Sequence, residues 1–272
     1  MNKTYSYLFI NWVIIVLAIY LGNRFFFIYP LAFIIIANRQ FANYLVGHEG
    51  VHGLISKNKL INDTVGKYLC LFPIYVSFDT YKTYHQSHHS FLGTNLDPDK
   101  KLYDFYPKKR STFILTTLSY FLTGGMMRDF FIYFTPFYVI YKSKSIKKIF
   151  SGDALSYLVF NLIVLVSVFY FNMGIQYLLF WILPLIFFIP YYYFVSALQH
   201  GLINLKGEEL NSRNIIGNAF LMEILLPCRT NYHGIHHQYP TVAFYNLKKV
   251  YDKQLGQHSS YANTIKELLP TE

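Results

Sequence analysis

The sequence predicts an all-α, polytopic membrane protein, and three observations carry that reading. Four apolar runs of about bilayer-spanning length fall into two pairs, each joined by a short polar tip. Hydrophobic residues make up 53% of the chain and charged residues only 14%, against roughly a quarter charged in an average domain. Lys and Arg are gathered almost wholly in the segments between and after the two pairs. The architecture expected is four transmembrane helices in two hairpins with a helical cap on the cytoplasmic side.

The same composition excludes two other classes. The 272 residues carry 24 Lys plus Arg against 14 Asp plus Glu, a net charge of +10. Disorder needs low hydrophobicity, and a basic nucleic-acid binder would not carry so much apolar bulk. Cys70 and Cys228 are too few for a disulfide framework and form no C-x-x-C pair. With no Pro/Gly/Ser-rich linker and no repeat, residues 1–272 read as one integral-membrane domain.

Taken in order, the first hairpin joins Tyr5 to Gly22 with Phe25 to about Val46, across Asn23-Arg24. Asn38, Arg39 and Asn43 near the end of its second arm suit a helix emerging into water. A cleaved signal peptide is disfavoured for the first arm, since no small-residue cleavage site follows it. Tyr68 to Phe78 is apolar but too short to span, and reads as interfacial or re-entrant. Thr112 to Tyr141 is interrupted by Gly124-Gly125 and Arg128-Asp129, so it either lies in the interface or crosses twice. The second hairpin, Leu155 to Phe171 and Ile175 to Leu198, turns at Asn172-Met173-Gly174, with Pro184 and Pro190 as expected kinks.

Orientation follows from the basic residues. Nine lie in 57–110, five in 128–148 and seven in 206–272, while the hairpin tips hold only Arg24. The positive-inside rule makes the basic side, with both termini, cytoplasmic. The sequons at Asn62 and Asn2 are then expected to be unmodified.

Nine of the ten histidines fall in four places. His48 and His52 are four apart in Gly-His-Glu-Gly-Val-His; His85, His88 and His89 form H-x-x-H-H; His233, His236 and His237 form a second H-x-x-H-H; His200 ends the last apolar run. At this histidine content, one H-x-x-H-H is expected by chance about 0.013 times and two about 10⁻⁴ times. Residues i, i+3 and i+4 share a helix face, so one turn can present two or three rings. Imidazole suits zinc, copper, iron and nickel. Nine donors exceed the needs of one tetrahedral ion and suit two ions with four or five nitrogens each. Glu49, Asp97 and Asp99 are assigned to the imidazole N–H groups that face away from the metal. Even numbers of crossings separate the four places, provided 112–141 crosses zero or two times, so all would share the cytoplasmic face.

These clusters resemble the three histidine boxes of the membrane fatty acid desaturase superfamily. The surroundings match as well: His48-Glu-Gly-Val-His-Gly53 before Ile61-Asn62-Asp63, Tyr84-His-Gln-Ser-His-His89 before Gly93-Thr94 and Asp97-Pro-Asp99, and Asn231-Tyr232-His-Gly-Ile-His-His-Gln-Tyr-Pro240 before Tyr245-Asn246-Leu247. The resemblance runs from residue 47 to about 250. It implies a non-haem centre of two iron ions held by the nine histidines, with Asn231 supporting the last box, and dioxygen as co-substrate. It further implies a lipid substrate taken from the bilayer and electrons from an external carrier of ferredoxin or cytochrome b5 type. No His-Pro-Gly-Gly haem motif is present to supply them internally. Ser196 stands where some acyl-CoA desaturases have an Asn four residues before the histidine matching His200. Acyl desaturation is the reading taken forward. A carotenoid ketolase or hydroxylase, or a lipid hydroxylase, would use the same boxes.

Other features have blander readings. His258 reads as a solvated loop residue, Lys108-Lys109-Arg110 as a solvated anchor, and Tyr191-Tyr192-Tyr193 as helix packing or a channel wall. A metal transporter is the rival from a different class. Its pathway would need ionisable residues inside the spans, and 155–171 and 175–196 have none.

Overall fold

Each long apolar run forms a helix. In the computed structural model α1 spans Lys3–Arg24 and α2 Tyr29–Val51, joined by a 3₁₀ turn at Phe26–Ile28. Residues 3–100, 110–138, 152–201, 212–254 and 259–260 are described. Lys108 and Lys109 of the basic run, residues 139–141 of the interrupted stretch, and His258 lie outside them. The remaining helices are α3 (Lys59–Val65), α4 (Phe78–Phe91), α5 (Arg110–Leu122), α6 (Gly125–Phe134), α7 (Gly152–Tyr170), α8 (Gly174–Tyr177), α9 (Leu183–His200), α10 (Ala219–Leu225), α11 (His233–Gln238) and α12 (Phe244–Gln254). Among the described residues the one extended feature is a parallel two-residue pairing of Ile215–Ile216 with Ser259–Ser260. The molecule is all-α.

Three helices are long and apolar enough to cross a bilayer: Lys3–Arg24, Gly152–Tyr170 and Gly174–His200, the last being α8 and α9 run together. The second arm of the first hairpin differs from the expectation. At 23 residues α2 is long enough, yet it is not among the three. Asn38, Arg39, Gln40 and Asn43 lower its apolar character, and the residues from Gln40 to Val51 are all buried. Between α8 and α9 the helix passes through a π turn at Leu178–Ile182, which ends two residues before Pro184. Proline cannot donate to the ladder, and a local change of helical repeat absorbs the lost bond.

The chain divides into two compact units, Met1–Lys82 with Asp129–Ile189 and Thr83–Arg128 with Pro190–Glu272. In the first, α1 and α2 pack around Ala18, Ala32, Ile36 and Phe180. Gly22 permits the approach, because a Cβ there would lie 2.8 Å from both Ala32 Cβ and the Phe180 ring. The polar residues of α2 turn inward: Asn11 Nδ2 donates to Asn43 Oδ1 at 3.2 Å, Arg39 Nη1 to Asn11 Oδ1 at 3.1 Å, and Gln40 Nε2 to the Trp181 carbonyl at 3.0 Å. The opposite faces of α1 and α7 expose Phe9, Val13, Val16, Leu162, Ile163 and Val166. Such wide apolar exposure belongs against lipid rather than water.

The short stretch 68–78 is irregular and folds into this unit. A π turn at Gly66–Leu71 leads to a 3₁₀ turn at Phe72–Ile74, and Tyr75 takes a left-handed conformation with φ 61°. Three ring donors from the long helices satisfy its carbonyls: Trp12 Nε1 on Leu69 at 3.0 Å, Trp181 Nε1 on Pro73 at 2.8 Å and Tyr157 OH on Tyr75 at 3.2 Å. Non-helical backbone survives in a membrane only where protein meets its polar groups. At the start of α7, Asp153 Oδ1 lies 2.9 Å from Lys67 Nζ, and its Oδ2 accepts from Ser77 Oγ and the Asp79 N–H.

The interrupted stretch gives α5 and α6, parted at Gly124, whose φ of 75° stops the helix. At 13 and 10 residues they are about 20 and 15 Å long. Neither alone reaches across a hydrocarbon core of about 30 Å.

Candidate metal centre

In the second unit the last two turns of α4 carry His85, His88 and His89, and α11 carries His233, His236 and His237. His200 closes α9. The seven rings sort into two groups. His88, His200, His233 and His237 form one, with a ligand nitrogen from each within 4.8 Å of the others. His85, His89 and His236 form the second. The sharing is reciprocal. From each H-x-x-H-H turn the i and i+4 rings enter one group and the i+3 ring enters the other. Helix geometry explains it: i and i+4 diverge by about 40° around the axis, while the adjacent i+3 and i+4 diverge by about 100°.

The nitrogen spacings would fit a coordination sphere. His200 Nε2 lies 2.9 Å from His233 Nε2, and His237 Nε2 lies 3.0 Å from the same atom. In the second group His85 and His89 face each other Nε2 to Nε2 at 2.9 Å, and His236 Nε2 is 3.2 Å from His89 Nε2. Two nitrogens each about 2.1 Å from one ion, at right angles, would be roughly 3.0 Å apart. The donors are all imidazole, which suits iron as well as zinc or copper. The His89 and His237 rings, tilted by 31°, have centroids 4.4 Å apart, so the groups are neighbours.

Carboxylates set the orientation of His88 on α4. His88 Nδ1 donates to Asp97 Oδ1 at 2.8 Å, which fixes the tautomer and leaves Nε2 free for a cation. Asp97 Oδ1 also accepts from the Asp99 N–H at 2.9 Å, and Oδ2 from the Gly93 N–H at 3.1 Å. Asp99 Oδ2 stands 3.5 Å from His88 Nδ1, and Tyr84 OH donates to Asp99 Oδ1 at 2.6 Å. Burial acts to lower the His88 pKa, but the charge of Asp99 and the bond to Asp97 outweigh it and raise the ring's basicity. His237 goes the other way. Burial, then the neighbouring His233, His88, His200 and His89, hold it neutral, the form a metal requires.

The supporting backbone uses residues that carried no sequence signal. Arg213 Nη1 donates to the Leu198 carbonyl at 3.1 Å and its N–H to the Gln199 carbonyl at 2.9 Å, closing the C-terminus of α9 beside His200. Gln199 Nε2 bonds the carbonyl and hydroxyl of Thr230 at 2.9 and 3.0 Å, tying that helix end to the turn that leads into α11. Asn214 Oδ1 accepts the Ile235 N–H at 3.0 Å at the start of α11, and a Cβ on Gly234 would meet Asn214 at 2.9 Å. Asn231 Nδ2 donates to the Ile215 carbonyl at 2.9 Å, anchoring the backbone that carries α11. Tyr191 OH donates to the Leu225 carbonyl, a packing use of that tyrosine.

His48 and His52 lie in the first unit, at the end of α2, with rings 4.9 Å apart. Burial, then the charge of Lys82, lower the His52 pKa to about 4, so it too is neutral. Glu49 is buried between them in sequence, and its carbonyl accepts the Leu54 N–H at 2.9 Å. Asn62 holds this helix end. Its Nδ2 donates to the Gly50 carbonyl at 2.8 Å, and Oδ1 accepts from Ile55 and Ser56 at 3.1 and 3.4 Å. A side-chain amide so buried and bonded is closed to glycosylation in the folded protein.

The family model for fatty acid desaturases matches residues 24–264. The chain belongs to that family. Among its curated relatives in the desaturase family is the sn-1 acyl-lipid omega-3 desaturase (ferredoxin) of Synechocystis sp., 34% identical over 93 residues. That match covers 34% of this chain and 25% of the relative. A second is the dihydrorhizobitoxine desaturase of Bradyrhizobium elkanii, 26% identical over 234 residues, or 82% of this chain and 66% of the relative. The desaturase-family chain thus spans a quarter of the first relative's length and just under two thirds of the second's.

Proposed function

We propose that the chain is a membrane oxidase that desaturates the acyl chain of a lipid or acyl thioester, using two iron ions and dioxygen. The observation that carries this reading is the reciprocal sharing of two H-x-x-H-H turns between two neighbouring imidazole groups. His88, His200, His233 and His237 would hold one ion; His85, His89 and His236 would bind the other. His48 and His52 are assigned to the centre by their i, i+4 spacing and their place in the family's first box. Iron so held supplies, with dioxygen, the oxidising power to break an unactivated C–H bond. The balance is one –CH₂–CH₂– unit, O₂, two electrons and two protons in, and one –CH=CH– unit and two waters out.

The chain's own residues do the rest. Asp97 keeps a proton on His88 Nδ1, so that Nε2 carries the lone pair. Burial of His85, His88, His200 and His236 keeps bulk water from the centre. The electrons come from a separate ferredoxin- or cytochrome b5-type carrier; one relative's name specifies ferredoxin. Both relatives' names specify desaturation, which favours that outcome over hydroxylation or ketolation. We place α2 as a fourth span and the histidine-bearing side in the cytoplasm, on the distribution of Lys and Arg.

Expression in a lipid-producing host lacking the activity, followed by chromatography of fatty acid methyl esters, tests this reading. New unsaturated species are expected with the native chain and none with His237→Ala. Absence of any new species across acyl lengths, from protein shown to carry iron, would sink it.

A further inference from the structure

The first unit contains a pocket with no histidine in its wall. It has a volume of about 370 Å³, and its wall includes Trp12, Leu69, Pro73, Phe160, Val164 and Trp181. That is within the range of about 300–1,000 Å³ for small-molecule sites. Trp12 and Trp181 are the only tryptophans in the chain. They stack at 5.8 Å with planes 9° apart, and each indole N–H is spent on a carbonyl of the stretch 68–78, Leu69 or Pro73. Pinned by both a stack and a hydrogen bond, these walls resist collapse, so the space is built into the fold.

Its depth identifies its occupant. Trp12 is the tenth of 22 residues in α1, and Phe160 and Val164 are the ninth and thirteenth of 19 in α7. At 1.5 Å per residue both positions lie about 9–18 Å from either helix end, the hydrocarbon zone of a bilayer about 30 Å thick. Helix faces beside it expose Val13, Val16 and Ile163. Of the polar side chains on its wall, Tyr177 OH is bonded to Tyr75 OH at 2.7 Å and Asn161 Nδ2 donates to the Tyr157 carbonyl at 3.0 Å, while Tyr68 packs its ring against Phe72 and Phe160. An apolar cavity of this kind stays free of water, and the medium at that depth offers hydrocarbon.

We propose that this pocket binds one acyl chain of a bilayer phospholipid. The site is distinct from the metal centre and independent of the oxidase reading, since it rests on the membrane-spanning character of α1, α7 and α8–α9.

Because both tryptophans line the pocket, emission excited selectively above the tyrosine absorption band reports on it. The full-length, iron-loaded chain is incubated in detergent with a phosphatidylcholine brominated at carbons 9 and 10 of one acyl chain, then washed exhaustively. Emission of the native chain is expected to remain at half or less of that of a control treated with the unbrominated lipid. Val164→Phe, which fills the pocket without touching a hydrogen bond, should recover full emission after the wash. If that variant fails to fold, Asn161→Leu is the second filling substitution. Full recovery in the native chain, equal lasting quenching in a folded filled variant, or lasting quenching by 9,10-dibromostearate but not by the phospholipid would each overturn the proposal. None of these results depends on turnover, so a failed desaturase assay and a failed lipid site remain separable.

Discussion

Asp97 accepts hydrogen bonds from His88 Nδ1 and from the N–H groups of Asp99 and Gly93. An Asn in its place keeps the shape but sets an amide NH₂ against one of those donors. Asp97→Asn is therefore expected to weaken metal binding about 10- to 100-fold, the usual cost of losing a partner behind a ligating histidine. Iron retained after dialysis against a graded chelator series measures it, with circular dichroism as a check on folding. Retention equal to that of the native chain would exclude an orienting role. At this scale the sequence was informative about the histidines, whose spacing is improbable by chance. It was silent on Gln199, Arg213 and Asn214. Their partners are backbone atoms of segments that the chain brings together only by folding: Gln199 reaches Thr230 across 31 residues, and Asn214 reaches Ile235 across 21.

Helix α2 ends on a clasp that the sequence left looking like a glycosylation site. Asn62 joins the Gly50 carbonyl to the N–H groups of Ile55 and Ser56, and all of these lie within a few residues of His48 and His52. Asn62→Ala leaves buried backbone groups unpaired, at about 1–3 kcal/mol for such a group. A lower unfolding temperature in detergent is expected, together with reduced iron content. Unchanged thermal unfolding would mean that water replaces the amide without loss. Elements with a period were legible: the apolar runs became α1, α7 and α8–α9, and each H-x-x-H-H lies on a helix. The stretch 68–78 was legible only as too short to span. Its turns are held by Trp12, Tyr157 and Trp181, none of which is local to it.

Across the whole molecule two measurements bear on the reading. With Cys70 and Cys228 replaced by alanine, single cysteines at the exposed positions Gln86 and Lys249 should react with an impermeant maleimide from one side of the membrane. A cysteine at Asn172, in the tip of the second hairpin, should react only from the other. Labelling of Gln86 and Asn172 from the same side would refute the shared-face topology. Removing the metal should lower the unfolding temperature, because an ion at about a hundred times its dissociation constant stabilises the native state by about 2.7 kcal/mol. A chelated sample that melts like the loaded one would argue against a bound metal.

The sequence by itself determined the membrane character, the helical class and the clustering of histidines on helix faces, because apolar run length and i, i+3, i+4 spacing are local properties of a helical chain. It did not determine how the rings are shared. Spacing alone allowed each H-x-x-H-H turn to feed a single point, whereas the folded chain splits each turn between two groups. Only the tertiary structure could decide that, since the 100° between neighbouring side chains becomes two separate sites only when α4, α9 and α11 bring partners to each side.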